Sequence, residues 1–308
     1  MDLSVQLAPK NKRPLNLANP VVTASGTFGY GTDYGDIFDV QKLGAIFCKG
    51  TTLKPKEGNP QPRIAETPGG MLNAIGFQNI GVKALIKEKA PIWAKWRVPV
   101  IVNVTGDTVE EFAQIAHELD SVPGVSGMEL NISCPNVKHG GMAFGTDPKA
   151  AAEVAAAVKG ATSLPVIVKL SPNCTDITAI AVAVAEAGAD ALTVTNTLRG
   201  MAIDVPRRKP LLANVVGGLS GPAIKPVALF MVYQVAAAVK IPVIGCGGIT
   251  TGMDAVEFIM AGATAVMVGT ASLTTPRAAL DVLEGLEAWM KKEGVKSLAE
   301  IRGAARPH

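Results

Sequence analysis

The 308-residue chain is 48% hydrophobic and 18% charged, with 29 Lys plus Arg against 26 Asp plus Glu and a formal charge of +3. That composition excludes a disordered polymer, and the near balance of charge, with Arg207-Arg208-Lys209 its densest basic run, leaves no electrostatic footprint for nucleic acid. Mean hydropathy is high at +0.29, yet no apolar run reaches the roughly 18 residues that cross a bilayer, so the apolar residues belong to short segments of the kind buried on both faces in parallel sheets.

In chain order, β-rich apolar runs at 20–25, 45–49, 99–104, 127–133, 165–170, 191–196, 242–245 and 265–268 predict eight strands. Helical periodicity over 33–43, 80–96, 107–120, 147–161, 175–187, 221–239, 252–261 and 275–292 fills the intervals. Eight strand–helix alternations predict an α/β fold, a (β/α)8 barrel with extended loops at its C-terminal face. Asp107 or Thr108 is placed to cap a helix that carries Glu110 and Glu111 in its first turn. The stretches AEAGADALTV (185–194) and IMAGATAVMV (259–268) resemble each other and read as helix C-caps running straight into strands. No Pro- or Ser-rich linker divides the chain, so 1–308 reads as one domain. Long loops at 50–78, 134–146 and 197–220 follow strand ends, where barrels build their active sites.

Met1 to Arg13 lacks the apolar core of a signal peptide. Cys48, Cys134, Cys174 and Cys246 are scattered, without a CxxC pair, which argues against zinc, iron–sulfur and disulfide frameworks and fits a reducing cytoplasm. With only His117, His139 and His308 and no HExxH, no protein-held catalytic metal is expected.

Four signals fall at the predicted barrel mouth. Gly247 and Gly248 after the seventh strand, with Gly269 and Thr270 after the eighth, suit a phosphate held by backbone N–H groups, or else mark tight turns. Lys49 and Lys169 interrupt apolar strands at their ends; each is a Schiff-base or anion-stabilising lysine, or one that snorkels to solvent. Asn103, Asn131 and Asn196 at strand ends, with Asn73 and Asn136 in loops, suit a planar heterocycle with amide or imide groups. Cys134, between Asn131 and Asn136, is a base or nucleophile, or an inert apolar residue, the reading given to Cys48, Cys174 and Cys246.

The motifs NPVVTASGTFGYG (19–31), CKGTTLKP (48–55), GGMLNAIGFQN (69–79), ELNISCPNVKHGG (129–141), VKLSPN (168–173), TNTLRGMAID (195–204), GGLSGPAIKP (217–226), IGCGGI (244–249) and MVGTA (267–271) together resemble the dihydroorotate dehydrogenases, specifically the class 1B catalytic subunits. The resemblance implies an FMN-bearing barrel that oxidises dihydroorotate to orotate in pyrimidine synthesis. By matching motif positions, it implies a flavin lined by Ser25, Lys49, Gly50, Asn103, Asn131, Lys169, Thr195, Gly221, Gly247, Gly248, Gly269 and Thr270. Substrate contacts fall to Lys49, Asn73, Ala74, Ile75, Gly76, Phe77, Asn131, Asn136, Asn196 and Thr197, and the base is Cys134. It also implies a partner subunit carrying FAD and a [2Fe–2S] cluster, joined in a heterotetramer around a dimer of the barrel chain, with NAD as acceptor. The chain itself shows no Rossmann fingerprint: GTFGYG (26–31) belongs to the first strand's end.

The class 1A enzymes, which use fumarate, and the dihydropyrimidine dehydrogenases are the neighbouring alternatives. In the latter a histidine commonly follows the Cys-Pro pair, where this chain has Asn136. Phe77 stands where relatives often carry leucine. More distant alternatives are a Schiff-base aldolase built on Lys169 and a nucleotide-sensing barrel without catalysis.

Overall fold

The computed structural model describes residues 1–133 and 144–306. The expected base Cys134, Asn136 and most of the 134–146 loop lie outside the described residues.

Eight short parallel strands form the core: β1 Val21–Thr23, β2 Ile46–Phe47, β3 Val100–Val104, β4 Gly127–Asn131, β5 Val166–Lys169, β6 Ala191–Val194, β7 Val243–Cys246 and β8 Ala265–Val268. They pair in the order β1-β8-β7-β6-β5-β4-β3-β2. The two ends meet through a parallel bridge between Val22 and Ala45, where Gly44 N–H donates to Val21 O at 2.8 Å. The sheet is therefore closed, and the predicted (β/α)8 barrel is present.

The outer layer holds α1 Gly81–Glu88, α2 Ala90–Trp93, α3 Val109–Leu119, α4 Pro148–Ala161, α5 Ile177–Glu186, α6 Lys225–Ala238, α7 Gly252–Ala261, α8 Ala271–Thr274 and α9 Ala278–Glu293. Thr108, not Asp107, caps α3 by accepting from Glu111 N–H. Gly262 ends α7 in the left-handed region, as its place before β8 implied.

Three expectations need correction. Residues 33–43 form no α-helix but two 3-10 turns, Thr32–Tyr34 and Val40–Lys42. Gly31, Gly35 and Gly44 weaken a helix there, and the apolar residues instead hold an aromatic cluster in which Phe28 stacks on Tyr34 at 3.8 Å. The helix expected over 80–96 is split at Lys89, beside Pro91, which lacks the N–H an unbroken helix needs. The long segments 50–78 and 197–220 are not irregular. Ile64–Thr67, Gly70–Asn73, Gly217–Ser220 and Leu198–Gly200 build an antiparallel four-stranded sheet.

The N-terminus adds an element the sequence reading missed, a hairpin of Val5–Gln6 with Asn16–Leu17. Its Leu7, Leu15 and Leu17 are buried against Val22, Ala45, Ile101, Ile167, Ala191, Ile244 and Ala265, which point into the barrel near the strands' N-terminal ends. Burying a leucine is worth roughly 1.5–3 kcal/mol, so this plug gives the barrel an apolar floor. The opposite, C-terminal end is where polar residues collect.

Candidate functional site

Side chains alternate along a strand, so the inward face of each barrel strand can be read from floor to mouth. On β3 it runs Ile101 then Asn103; on β4, Glu129 then Asn131; on β5, Ile167 then Lys169; on β6, Ala191, Thr193 and then Thr195 just beyond the strand. Apolar residues meet the N-terminal plug, and polar ones occupy the half beyond its reach.

That polar half is organised by Glu129, a carboxylate with no exposed surface. Its Oε2 accepts from Ser25 Oγ at 2.7 Å and from Asn103 Nδ2 at 2.6 Å, and its Oε1 accepts from Thr193 Oγ1 at 2.8 Å. Asn103 Nδ2 also lies 3.2 Å from Ser25 Oγ. Lys169, almost wholly buried, donates to the same Ser25 Oγ at 3.4 Å and lies 3.9 Å from Met267 Sδ. Burial alone pulls the Lys169 ammonium down, but the Glu129 charge and Cys246 outweigh it and hold the lysine above its ordinary value.

Burial instead keeps the neighbouring thiols protonated, Cys246 raised and Cys48 pushed up to about 12. The half-buried Cys174 is raised for the same reason. These three cysteines fit the inert reading given to them.

Lys49, beyond β2, is half-buried and lies below the usual lysine value because of that burial, with the Arg63 charge adding to it. It makes no ion pair among the described residues, so its ammonium is available to an anion. Next to it, a Cβ on Gly50 would stand 3.1 Å from Asn103 Oδ1 and 3.4 Å from the Phe77 ring. Gly50, Asn103 and Phe77 thus share one wall.

Residues 73–77 are clamped from beneath. Ala74 N–H donates to Arg63 O at 2.8 Å, Asn59 N–H to Ile75 O at 2.9 Å, and Asn59 Nδ2 to Ala74 O at 2.9 Å. Phe77 adopts φ +55°, unusual for a bulky side chain. Asn73 ends its strand opposite Gly218, whose carbonyl its amide reaches at 3.4 Å.

A second network spans β4 and β6. Asn196 Nδ2 donates to Asn131 Oδ1 at 3.2 Å and to Ser133 Oγ at 3.0 Å, while Asn196 Oδ1 accepts from Thr197 N–H at 2.8 Å. Thr195 Oγ1 donates to Asn196 O. Three of the expected asparagines, Asn103, Asn131 and Asn196, are therefore held in fixed orientations at the barrel mouth.

The glycine loops complete the rim. The amides of Gly247, Gly248, Gly269 and Thr270 donate to no protein acceptor among the described residues. Unpaired donors at neighbouring strand ends suit an anion. Gly247 and Gly248 have φ +136° and +74°, and a Cβ on either would stand 2.6 Å from α6, at Ala228 or Lys225. Packing thus demands these glycines as strongly as any ligand would. Thr270 Oγ1 donates to Ser220 Oγ at 2.8 Å, tying the loop to the antiparallel sheet beside Gly221.

Asp254 on α7 braces this loop. It accepts from Thr250 and Thr251 N–H and pairs with Lys225, which also reaches Glu257 at 2.8 Å. Burial raises its carboxyl, but Lys225 and the Thr250 and Thr251 donors overcome that and bring it to about 2. A lowered carboxyl stabilises fully above its ordinary value and loses that contribution as pH falls through the folded one. Asp254→Asn is expected to cost about 1–3 kcal/mol near neutrality, and the deficit should narrow from about pH 4 to 2. Denaturant unfolding at both pH values measures it.

Glu129 is the residue that sequence reading missed. Its signal was an acid inside the apolar strand GMELN, since an acid is rarely buried without partners.

The sequence profile described as dihydroorotate dehydrogenase matches residues 10–290. Among curated relatives, the "Dihydroorotate dehydrogenase B (NAD(+)), catalytic subunit" of Pelobacter propionicus is 58% identical over 303 residues, covering 98% of each chain. The protein of the same description from Trichlorobacter lovleyi is 59% identical over 290 residues, 94% of this chain and 95% of its own. That from Geobacter sulfurreducens is 57% identical over 303 residues, again 98% of each. With a matching profile over most of its length, these relatives from end to end and a closed barrel bearing a polar mouth, the chain belongs to the dihydroorotate dehydrogenase family.

Proposed function

We propose that this chain is the flavin-bearing catalytic subunit of an NAD-linked dihydroorotate dehydrogenase, oxidising dihydroorotate to orotate for pyrimidine synthesis in the cytoplasm. The observation that carries the reading is the convergence at one mouth of four unpartnered loop amides, a buried cationic Lys169 and three oriented asparagines.

These donors fit FMN. The amides of Gly247, Gly248, Gly269 and Thr270 would take the phosphate. Ser25, Lys49, Gly50, Asn103, Asn131, Lys169, Thr195 and Gly221 would line the ring. Bound FMN supplies a hydride acceptor for C6 of dihydroorotate. Lys169, held protonated, stabilises the negative charge that builds on the ring. Lys49 meets an anionic oxygen of the substrate, and Asn73, Asn131, Asn136, Asn196 and Thr197 read its amide and imide groups. Residues 74–77 wall the pocket. Cys134 Sγ takes the C5 proton.

Lys169 also weighs against the aldolase alternative, because a Schiff-base lysine must be neutral to attack and this one is pushed the other way. The words "catalytic subunit" in the relatives' description support a partner subunit; its reading as an FAD and [2Fe–2S] protein, in a heterotetramer around a dimer of this chain, follows from the resemblance to the class 1B enzymes.

The test is the visible flavin spectrum of the purified chain, with one FMN per chain expected. Gly248→Val is expected to give mostly apoprotein, because a branched side chain at φ +74° meets Lys225 and displaces the amide beside it. Circular dichroism accompanies the measurement. Full flavin occupancy in a normally folded variant would remove the phosphate from this loop.

A further inference from the structure

We propose that Glu129 is a positioning residue for this mouth, a buried carboxylate that dictates which atoms of Ser25, Asn103 and Thr193 are free to meet a ligand and that keeps Lys169 a cation. The proposal rests on the flavin reading above for its consequence, but not for its physics.

A carboxylate accepts hydrogen bonds and donates none. Its three contacts therefore fix three donors. Thr193 and Ser25 must turn their hydroxyl protons toward Glu129, and Asn103 must turn its NH2 group there. Asn103 is left presenting Oδ1 beside Gly50, so the mouth receives an acceptor where a flipped amide would offer a donor. Ser25, its proton committed, offers only lone pairs, and Asn103 Nδ2 and the Lys169 ammonium are the donors that meet them. Proton donation runs one way, from Lys169 to Ser25 to Glu129. A neutral acid or an amide at position 129 breaks that order, since part of it must donate.

The charges lead to the same place. No Lys or Arg lies in ion-pair contact with Glu129 among the described residues, and Lys169 shares Ser25 with it. The groups facing the pair are Cys246 from β7, Met267 from β8, Asn103 from β3, Thr193 from β6 and Ser25 beyond β1, while Cys48, packed in the outer core with Ile46 and Val100, also feels the Glu129 charge. Burial holds both thiols protonated. Lys169 thus draws its compensation chiefly from Glu129 across the barrel interior, with Cys246 the smaller contributor. Without Glu129 the buried ammonium would lose the larger of the two, and desolvation would pull its titration down.

The test uses the full chain as purified, with Glu129→Gln beside wild type and lysine side chains labelled for NMR. Lys169 is identified by the signal lost in Lys169→Met. Wild-type Lys169 is expected to titrate above about 10.4, the ordinary lysine value, and Glu129→Gln to lower it by about one pH unit or more, a tenfold change in proton affinity. Flavin content, read from the visible spectrum, should stay level with rising pH in wild type and fall in Glu129→Gln as Lys169 loses its proton. A purely structural defect would lower flavin content equally at every pH. Unchanged Lys169 titration in the variant overturns the proposal. So does a wild-type Lys169 titrating below the ordinary value, whether or not the variant folds. A wild-type chain without flavin would instead remove the cofactor reading, while the Lys169 titration would still decide the role of Glu129.

Discussion

Replacing Cys134 with serine should slow dihydroorotate-dependent flavin reduction by about 10²–10⁴-fold near neutral pH, the usual worth of a positioned general base, while orotate still binds. In the proposed mechanism the Cys134 thiolate is the proton acceptor, and a free thiol ionises near 8.5. Wild-type reduction should therefore rise with pH and level off above the thiol's own value. A serine hydroxyl ionises far higher, so its rate should go on rising where the wild type has levelled, and the gap should shrink at alkaline pH. Rapid-mixing reduction across about pH 6–10 gives both limbs. Cys48→Ser and Cys174→Ser serve as controls and should cost stability at most, because burial keeps both thiols protonated. A wild-type rate in Cys134→Ser would take the residue out of the mechanism. An equal loss in all three variants would mean that the cysteines act through the fold.

The barrel was legible because its strands are short apolar runs with sharp punctuation. Residues 265–268 and 252–261 coincide with a strand and a helix of the structure, each bounded by glycines or a capping threonine. The antiparallel sheet over 64–73 and 198–220 was not legible. Its strands are three or four residues long and rich in glycine, and they hold together through pairing between distant segments, such as Asn73 with Gly218. Periodicity over so few residues carries no signal. The N-terminal hairpin was hidden for the same reason, its two strands being two residues each.

At the site, the lysines and asparagines stood out because such residues are unusual at the ends of apolar strands. Glu129 is a stronger anomaly of the same kind, yet it sat inside a longer motif and drew no separate reading. The bracing of the glycine loop by Asp254 and Lys225 was out of reach altogether, since the two residues are 29 positions apart on different helices.

The largest functional contrast should appear in the choice of electron acceptor. The lone chain is expected to oxidise dihydroorotate readily with an artificial dye and to reduce NAD poorly. Its barrel offers one mouth, and that mouth is filled by the residues assigned to flavin and substrate. The sequence has no dinucleotide fingerprint between a strand and a helix, and GTFGYG forms the loop beyond β1, where Lys49 N–H bonds to Gly29 O. A chain of iron–sulfur ligands needs clustered thiolates, whereas Cys48, Cys174 and Cys246 stand apart with their thiols held protonated. In the proposed function NAD reduction runs through a second protein that holds its own redox groups, and adding an FAD and [2Fe–2S] subunit should restore it. The decisive comparison is NAD-linked turnover of the lone chain against the reconstituted complex, with dye-linked turnover as the common reference. Efficient NAD reduction by the lone chain would refute the relay. Efficient fumarate reduction by the lone chain would place the enzyme with class 1A, because fumarate is small enough to enter the substrate pocket after orotate leaves and needs no partner.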